Sequence, residues 1–205
     1  MVASGPDATT VHYLRNDKVL ADGDLVLMDA GCEWHGYASD VTRTWPVNGK
    51  FSKEQREIYE VVRKAHAACL AQVRPGATLR QLQATSVRVV TEGLHSLGLV
   101  GGGAVAAAGA YRRFYPHSLG HWLGMDTHDV PVVSPDQPML PGVVLTVEPG
   151  LYVPNAAAYG KYAGLGVRLE DDVLVTEGGA EVLSEGLPLR PEDVEGLLED
   201  LRGSV

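Results

Sequence analysis

The pattern of apolar and polar residues predicts strands near the start of the chain, helices after them, and strands again in the last third. A short apolar run covers residues 25–29 (LVLMD), and β-branched and aromatic residues alternate with polar ones over residues 38–45 (ASDVTRTW). This pattern predicts two antiparallel strands joined by a glycine-containing connection. Further β-like runs at residues 143–148, 165–170 and 173–176 predict additional strands.

Two helices are predicted from capping signals and helical spacing. The capping box SKEQ begins at Ser52, and apolar residues then recur at helical spacing as far as Pro75. A second box, TLRQ, begins at Thr78, before an apolar stripe that runs towards Gly98. A polar helix is predicted over residues 191–201. The order of strands, helices and strands, with hairpin-like pairs, predicts an α+β fold.

The 205 residues are predicted to form a single domain. A chain of this length can bury enough apolar surface for a hydrophobic core. Residues 101–110 are rich in Gly and Ala, and the sequence after them has no core pattern of its own. We therefore predict a loop or a weak short helix there, and no domain boundary.

Charge and cysteine content narrow the range of partners. The 26 acidic and 17 basic residues give a formal net charge of -9, and no basic run of five or more is present, so nucleic acid is excluded as a partner. Cys32 and Cys69 lack CxxC or Cys/His spacing, which excludes a disulfide framework and a thiolate zinc site. With no apolar stretch of roughly 18 residues and no leader-like start, the sequence predicts neither a membrane span nor a targeting segment.

Two aspartates are placed where a hairpin would bring their carboxylates together. Asp29 closes the first apolar run, and Asp40 follows eleven positions later (29 to 40) in the second β-rich run. Two carboxylates side by side on one face of a strand pair favour a cation between them. Each aspartate alone is explained as well by a turn or by solvent, because Asp is common in turns.

Three histidines lie within twelve residues, in the tract YPHSLGHWLGMDTHD. His117, His121 and His128 are of the residue type that serves as acid, base or metal ligand at neutral pH. The HExxH zinc helix is excluded, because Ser118 stands at its second position and two glycines disfavour a regular helix. A structural role with satisfied hydrogen bonds is the alternative.

Two glutamates end apolar strands. Glu148 follows VVLTV, and Glu170 follows GVRL, in which the alternation of a strand puts Arg168 on the same face as Glu170. A buried carboxylate is costly unless it is paired or binds a metal. A salt bridge, for instance between Glu170 and Arg168, is the alternative to metal binding.

Taken together, the four carboxylates and an imidazole predict a site for two divalent ions. These ligand types suit hard to borderline metals, and two ions would neutralise four carboxylates. In two-metal centres, bridging carboxylates hold both ions, and a shared water becomes a hydroxide that attacks at neutral pH. The sequence therefore favours a hydrolytic reaction.

Four tracts carry a family resemblance: MDAGCEWHGYASDVTRTWPVNGKF, HSLGHWLGMDTHD, TVEPGLY and GVRLEDD. Over nearly the whole chain they resemble aminopeptidase P, the Xaa-Pro aminopeptidase of the pita-bread metallopeptidases. The aspartate spacing is shared with methionine aminopeptidases and prolidases, whereas TRTWPVNGKF and HWLGMDTHD favour aminopeptidase P. The resemblance implies an α+β pita-bread fold of the creatinase/aminopeptidase-like type.

The resemblance also implies a role for each matching residue in the metal centre. Two divalent ions, most often Mn²⁺ with Zn²⁺ or Co²⁺ as alternatives, would be held by Asp29, Asp40, His121, Glu148 and Glu170. Asp40 and Glu170 would bridge both ions. Glu148 would in addition handle the proton of the nucleophilic water.

Outside the ligand set, the resemblance implies two further groups of site residues. His117 and His128 would hold the substrate and stabilise the tetrahedral intermediate. His12 would line the pocket on the proline side, and Tyr152 and Arg168 would also line the site.

The implied activity is hydrolysis of the bond between an N-terminal residue and a following proline in peptides. That bond is a tertiary amide without an N–H, so a dedicated pocket has to replace the missing backbone contact. A prolidase restricted to Xaa-Pro dipeptides is the nearest alternative, and a catalytically inert truncated product or binding module is the other. A homo-oligomer and a cytoplasmic or mitochondrial location stay open.

Family members have further sequence ahead of this region. The resemblance implies that an N-terminal domain and the first quarter or so of the catalytic domain precede the segment that starts at Val2. The chain would then form the C-terminal three quarters or so of a pita-bread domain, without the N-terminal domain. We therefore expect exposed apolar surface and an unpaired strand edge.

Overall fold

The computed structural model describes residues 1–101 and 109–203. Within these ranges, antiparallel strands form two three-stranded sheets, with the orders β1-β2-β5 and β10-β9-β6, and two two-stranded sheets, β3-β4 and β7-β8. The strands are β1 (Val2–Ser4), β2 (Leu25–Ala30), β3 (Glu33–Trp34), β4 (Tyr37–Ala38), β5 (Val41–Pro46), β6 (Val144–Val147), β7 (Gly150–Tyr152), β8 (Gly166–Arg168), β9 (Asp171–Thr176) and β10 (Gly179–Val182).

Strands β2 and β5 form the predicted antiparallel pair. Their register runs from Leu25 opposite Pro46 to Ala30 opposite Val41, which confirms the prediction from alternation. The connection between them contains the β3–β4 hairpin, which the sequence pattern did not predict. The runs predicted as strands after residue 143 are also confirmed, as β6, β8 and β9.

The two helices predicted from capping boxes are confirmed, and both capping boxes are present. Helix α1 (Lys53–Leu70) begins after Ser52 and helix α2 (Leu79–Ser96) after Thr78, and in each box the side chain and backbone hydrogen bonds are both present. Helix α3 (Pro191–Gly203) extends two residues beyond its predicted end. Of the loop predicted over residues 101–110, positions 102–108 lie outside the described residues.

Helix α1 packs against β7 and β8 and also against β6 and β9, because its buried side chains belong to two apolar cores. Ile58 and Val62 belong to one core, which includes residues of β7 and β8. Cys69 belongs to the other, with residues of β6 and β9. Cys69 is therefore a buried core residue, whereas Cys32 is exposed, and both are free thiols as predicted.

The separate sheets are joined at the point where β5 runs beside β8. The Thr44 hydroxyl donates to the Arg168 carbonyl oxygen over 2.9 Å, and the backbone N–H of Glu170 donates to the Thr42 carbonyl oxygen over 3.1 Å. Side chains from strands of different sheets consequently meet on one surface.

The expected exposed apolar residues are present near the start of the chain. Leu14 is 85% exposed and Val19 is 87% exposed. Among the described residues, β1 pairs with a strand on its β2 side alone. The described parts of the chain also contain no helix with the length and apolar character needed to cross a membrane.

Candidate metal centre

Four of the five predicted ligands lie at the ends of strands that converge on one surface, and a loop attached to one of these strands carries the fifth. Asp29 is near the end of β2 and Asp40 directly precedes β5. Glu148 follows β6, and Glu170 stands between β8 and β9. His121 lies in a loop that is attached to β6, because its carbonyl oxygen accepts a 2.9 Å hydrogen bond from the backbone of the β6 residue Thr146. Strand ends fix the backbone of four ligands, and the hydrogen bond from Thr146 fixes that of His121.

The distances are those of a group that can share a cation. Nε2 of His121 lies 3.5 Å from Oδ2 of Asp40 and 3.4 Å from Oε1 of Glu148. One ligand atom from each of Asp40, His121 and Glu170 lies within 4.8 Å of the others. Two carboxylates and an imidazole this close together could hold a divalent ion.

The hydrogen bonds of His121 leave Nε2, the ring nitrogen that faces the acids, available to a metal. Nδ1 lies 3.0 Å from the carbonyl oxygen of Trp122, which can only accept, so Nδ1 carries the proton of the neutral ring. In that neutral form Nε2 has a free lone pair for a metal. Burial opposes the charged ring, but the hydrogen bond with Asp40 and the charge of Glu148 outweigh it and raise the pKa of His121, so without a metal a protonated Nε2 faces both acids. An Nδ1–H that donates to a backbone carbonyl oxygen, as in His121, is common in histidines that bind a metal through Nε2.

Burial leaves the carboxylates short of positive charge. Glu170 is 1% exposed, and its Oε1 has no hydrogen-bond partner among the described residues. Burial raises the pKa of Glu170 well above its usual range, and the charges of Glu148 and Asp40 add to that rise. Burial also raises the pKa of Glu148 to about 7. A cation bound among these groups would remove the cost of their burial.

The two aspartates are stabilised by different neighbours. Burial raises the pKa of Asp29, although the nearby Arg168 guanidinium opposes that rise. For Asp40, burial would raise the pKa, but the hydrogen bond and charge of His121, together with Asp29 and Arg168, outweigh it and lower the pKa overall. These neighbours favour the ionised form of Asp40, the form that a metal would need.

Arg168 contacts a different acid from the one that its sequence position suggested. Its Nη2 donates to Oδ2 of Asp29 over 2.5 Å, and its Nε donates to the Thr42 hydroxyl over 3.1 Å. That hydroxyl in turn donates to Oε2 of Glu170 over 2.6 Å. The alternative of a direct Glu170–Arg168 salt bridge is therefore wrong, because Thr42 stands between the two side chains.

A chain of directed hydrogen bonds runs from Arg168 to His117. Nη1 of Arg168 lies 3.0 Å from the Tyr152 hydroxyl oxygen, which lies 2.8 Å from Nε2 of His117, and Nδ1 of His117 lies 2.8 Å from the Ser118 carbonyl oxygen. A guanidinium only donates and a carbonyl only accepts, so the Tyr152 hydroxyl donates to Nε2. Burial lowers the pKa of His117 to about 4, which agrees with a neutral ring.

The predicted site residues share one cleft, except for Tyr152. A cavity of about 300 Å³ is lined by the five predicted ligands together with His12, His117, His128 and Arg168. The ring of His128 stacks edge-on against that of His121, with centroids 4.3 Å apart. Tyr152 is buried and contacts His117 and Arg168, so it supports the wall of the cleft without lining it.

Several residues around the centre were not predicted. Thr42 bonds Glu170, and Oδ2 of Asp172 accepts the backbone N–H of Asp40 over 3.1 Å. Behind them, Asp171 contacts Arg43 and a histidine of α1. The alternation in TRT puts Thr42 and Arg43 on opposite faces of β5, but it indicates no partner for either residue, so the sequence held no signal that could have found them.

Comparison with known proteins connects this geometry with a family. The profile of metallopeptidase family M24 matches residues 1–177. The Xaa-Pro aminopeptidase of Escherichia coli K12 is 45% identical over 203 residues, which are 97% of this chain and 46% of that protein. The mitochondrial intermediate cleaving peptidase 55 of Arabidopsis thaliana is 44% identical over 201 residues, 98% of this chain and 40% of that protein.

Solved structures give the same result. A histidine-to-alanine variant of E. coli aminopeptidase P superposes with a TM-score of 0.96 at 43% identity, covering 99% of this chain and 47% of that one. A zinc-substituted form in complex with product has a TM-score of 0.93, again at 43% identity, covering 98% of this chain and 47% of that one. The chain thus spans less than half the length of these similar proteins. The match confirms the predicted α+β pita-bread fold.

Proposed function

Because the chain belongs to metallopeptidase family M24, we propose that it forms the catalytic part of a metal-dependent aminopeptidase that cleaves an N-terminal residue from a following proline. The observation that carries the proposal is the buried carboxylate of Glu170. One of its oxygens has no hydrogen-bond partner among the described residues, beside Asp40 and His121. A buried acid without a partner either keeps a proton or binds a cation, and the neighbouring Asp40 and His121 supply the further donors that a cation needs.

Two divalent ions fit the donor set. Asp29, Asp40, Glu148 and Glu170 carry four negative charges when ionised, which two divalent ions would balance, and His121 adds a neutral nitrogen. Bound there, the ions would acidify a water molecule as the nucleophile and polarise the scissile carbonyl. We propose Mn²⁺ as the native metal, with Zn²⁺ and Co²⁺ as substitutes.

The remaining steps depend on the side chains of this chain. Burial raises the pKa of Glu148 to about 7, which suits a group that takes up and releases a proton near neutral pH. His128 and His12 are exposed in the cleft, so they are available to a substrate. His117, held neutral by burial, is proposed to position the substrate carbonyl, with Arg168 beneath it.

The preference for proline follows from what the substrate lacks. An Xaa-Pro bond has no N–H, so recognition has to come from the shape and polarity of the pocket around the ring. We propose that His12 and His117 line that pocket. Val11, which also lines the cleft, offers an apolar surface for the ring.

A peptide-release assay tests the proposal. The chain should release the first residue of an Xaa-Pro-Yaa peptide in the presence of Mn²⁺, and Asp40→Asn should reduce that rate by at least about 10³-fold, the scale of losing a group that stabilises charge in a transition state. Asp193→Asn is the matched control, since Asp193 pairs with Arg190 in α3. Equal rates for the chain and Asp40→Asn would contradict the catalytic assignment.

A series of peptide lengths separates the alternatives. An aminopeptidase of this kind cleaves tripeptides and longer peptides with proline second, whereas a prolidase cleaves Xaa-Pro dipeptides alone. A chain that binds Mn²⁺ and releases nothing from any of these peptides would be the inert product or binding module. Metal binding and peptide release should therefore be measured on the same preparation.

A further inference from the structure

A buried ionic cluster lies behind the candidate metal centre, and the proposed mechanism does not use it. It consists of His66 on α1, Asp171 at the start of β9 and Arg43 on β5, and we call it the back cluster. Nε2 of His66 lies 3.1 Å from Oδ2 of Asp171, and Nη2 of Arg43 lies 2.6 Å from Oδ1. His66 is 1% exposed and Asp171 is 0% exposed. The hydroxyl of Ser184 also donates to Oδ1 over 2.5 Å.

Arg43 connects this cluster to the backbone of a predicted ligand. Its Nη1 donates to the carbonyl oxygen of Glu170 over 2.5 Å and to that of Thr42 over 3.0 Å. The backbone N–H of Glu170 donates to the same Thr42 carbonyl oxygen over 3.1 Å. Both sides of the Glu170 peptide unit are therefore fixed to β5.

The position of this joint matters because the ligands come from different sheets. Asp40 directly precedes β5 in the sheet β1-β2-β5, whereas Glu170 lies between β8 and β9, which belong to two other sheets. The ladder hydrogen bonds of a single sheet cannot set the distance between them. The contacts of Arg43 do so, and the orientation of Arg43 is set by Asp171.

Resting on the proposed function, we propose that the back cluster is a positioning device that holds Glu170 and Asp40 at the separation a shared metal pair requires. His66 connects the back cluster to α1, a helix that contains none of the predicted ligands. Groups that orient metal ligands from behind control metal affinity without touching the metal. The back cluster occupies that position for the two acids proposed as bridges.

The direct test is the affinity of the chain for Mn²⁺ in Arg43→Lys, measured by titration calorimetry without substrate. Lysine keeps the positive charge but lacks the planar fork that reaches a carboxylate and two carbonyls together. We expect the Mn²⁺ affinity to fall about 10- to 100-fold, as for other residues that orient metal ligands. Excess Mn²⁺ should restore kcat, and KM for an Xaa-Pro-Yaa peptide should stay unchanged.

A second pair of variants guards against a failure to fold. His66→Leu removes the contact with Asp171 and should weaken Mn²⁺ binding, whereas His66→Gln retains a donor and should recover part of the affinity. Val62→Ala is the control for general destabilisation, because Val62 is a fully buried α1 residue of the apolar core. It should lower the melting temperature and leave Mn²⁺ affinity unchanged.

The outcomes separate this inference from the proposed function. Wild-type Mn²⁺ affinity in both Arg43→Lys and His66→Leu would overturn the inference, as would an equal loss in Val62→Ala. A chain that binds Mn²⁺ but releases no residue would overturn the proposed function alone, because affinity is read without substrate. A wild-type chain that binds no Mn²⁺ would overturn both.

Discussion

Glu170 and Asp171 are neighbours in the sequence, yet their carboxylates have opposite surroundings. Asp171 contacts Arg43, His66 and Ser184 in the back cluster. Burial alone would raise its pKa, but His66 and Arg43 outweigh that effect and lower it to about 2. Among the described residues, the carboxylate of Glu170 accepts one hydrogen bond, from Thr42, and burial raises its pKa well above the usual range.

This contrast shows how two neighbouring positions at the start of a strand can carry an acid that the protein pairs and an acid that stays available to a ligand. Successive side chains point to opposite faces, so one of the two acids faces the back cluster and the other faces the cleft. Arg43 pairs with the first acid, whereas no cation among the described residues pairs with the second. A buried acid that the protein does not pair is therefore the better indicator of a ligand site.

The largest expected effect is that two isosteric substitutions in the metal-free chain change the free energy of unfolding in opposite directions. Asp171→Asn leaves Arg43 and His66 without their buried partner and should reduce the free energy of unfolding by about 3–5 kcal/mol. Glu170→Gln removes a buried carboxyl group whose ionised form is not balanced by a cation among the described residues, so it should be neutral or stabilising at pH 8. Urea unfolding in EDTA measures both, and equal destabilisation would show that the two acids are alike.

For Glu148, the cost of burying a carboxylate can be measured from the pH dependence of stability. Its raised pKa, about 7 against an ordinary 4.5, means that the folded chain keeps a proton that the unfolded chain has lost between these values. The associated stability is full below pH 4.5 and is lost as pH rises through 7. Relative to Glu148→Gln, the metal-free chain should lose about 3 kcal/mol between pH 4.5 and 8, at about 1.4 kcal/mol per unit of pKa.

His117 provides the internal check on this pH experiment. Burial lowers its pKa to about 4, so its contribution has the opposite sign and is lost as pH falls below its ordinary value of 6.5. That contribution is present in both proteins and cancels in their difference. Saturating Mn²⁺ at pH 8 should remove most of the deficit of the wild-type chain, and a pH-independent difference would contradict the raised pKa of Glu148.

The local elements could be predicted from the sequence because their signals are local. The capping boxes at Ser52 and Thr78 involve residues three positions apart, and the β2–β5 pair has plain alternation. The β3–β4 hairpin was missed because its tight turn uses His35 and Gly36, both with positive φ, in place of the usual Asn-Gly or Asp-Gly pair.

The supports of the site could not be predicted for a different reason. The residue types of the five ligands mark a metal centre wherever they converge, but a supporting residue is recognisable only from its contacts. Thr42 and Arg43 contact residues 170 and 171, each 128 positions away. No periodicity within one segment reports such a pairing. Arg168 shows the same limit, since alternation gave its face but could not show that Asp29 lies opposite.

The smallest expected effect concerns the backbone under His121. A Cβ at position 120 would overlap the Thr146 carbonyl oxygen, so Gly120→Ala forces the loop away from β6 and should cost about 1–3 kcal/mol of stability. Because the displaced loop carries His121 but touches no member of the back cluster, Mn²⁺ binding should weaken while Arg43, Asp171 and His66 stay in place.

Gly196→Ala is the matched substitution in α3, where a Cβ would meet open space. It should raise stability by about 0.5–1 kcal/mol through helix propensity and leave Mn²⁺ affinity unchanged. Urea midpoints in EDTA and Mn²⁺ titrations on both variants measure these effects. Unchanged Mn²⁺ affinity in Gly120→Ala would mean that the close approach of the loop to β6 does not position His121. Metal binding in the cleft would then depend on the carboxylates alone.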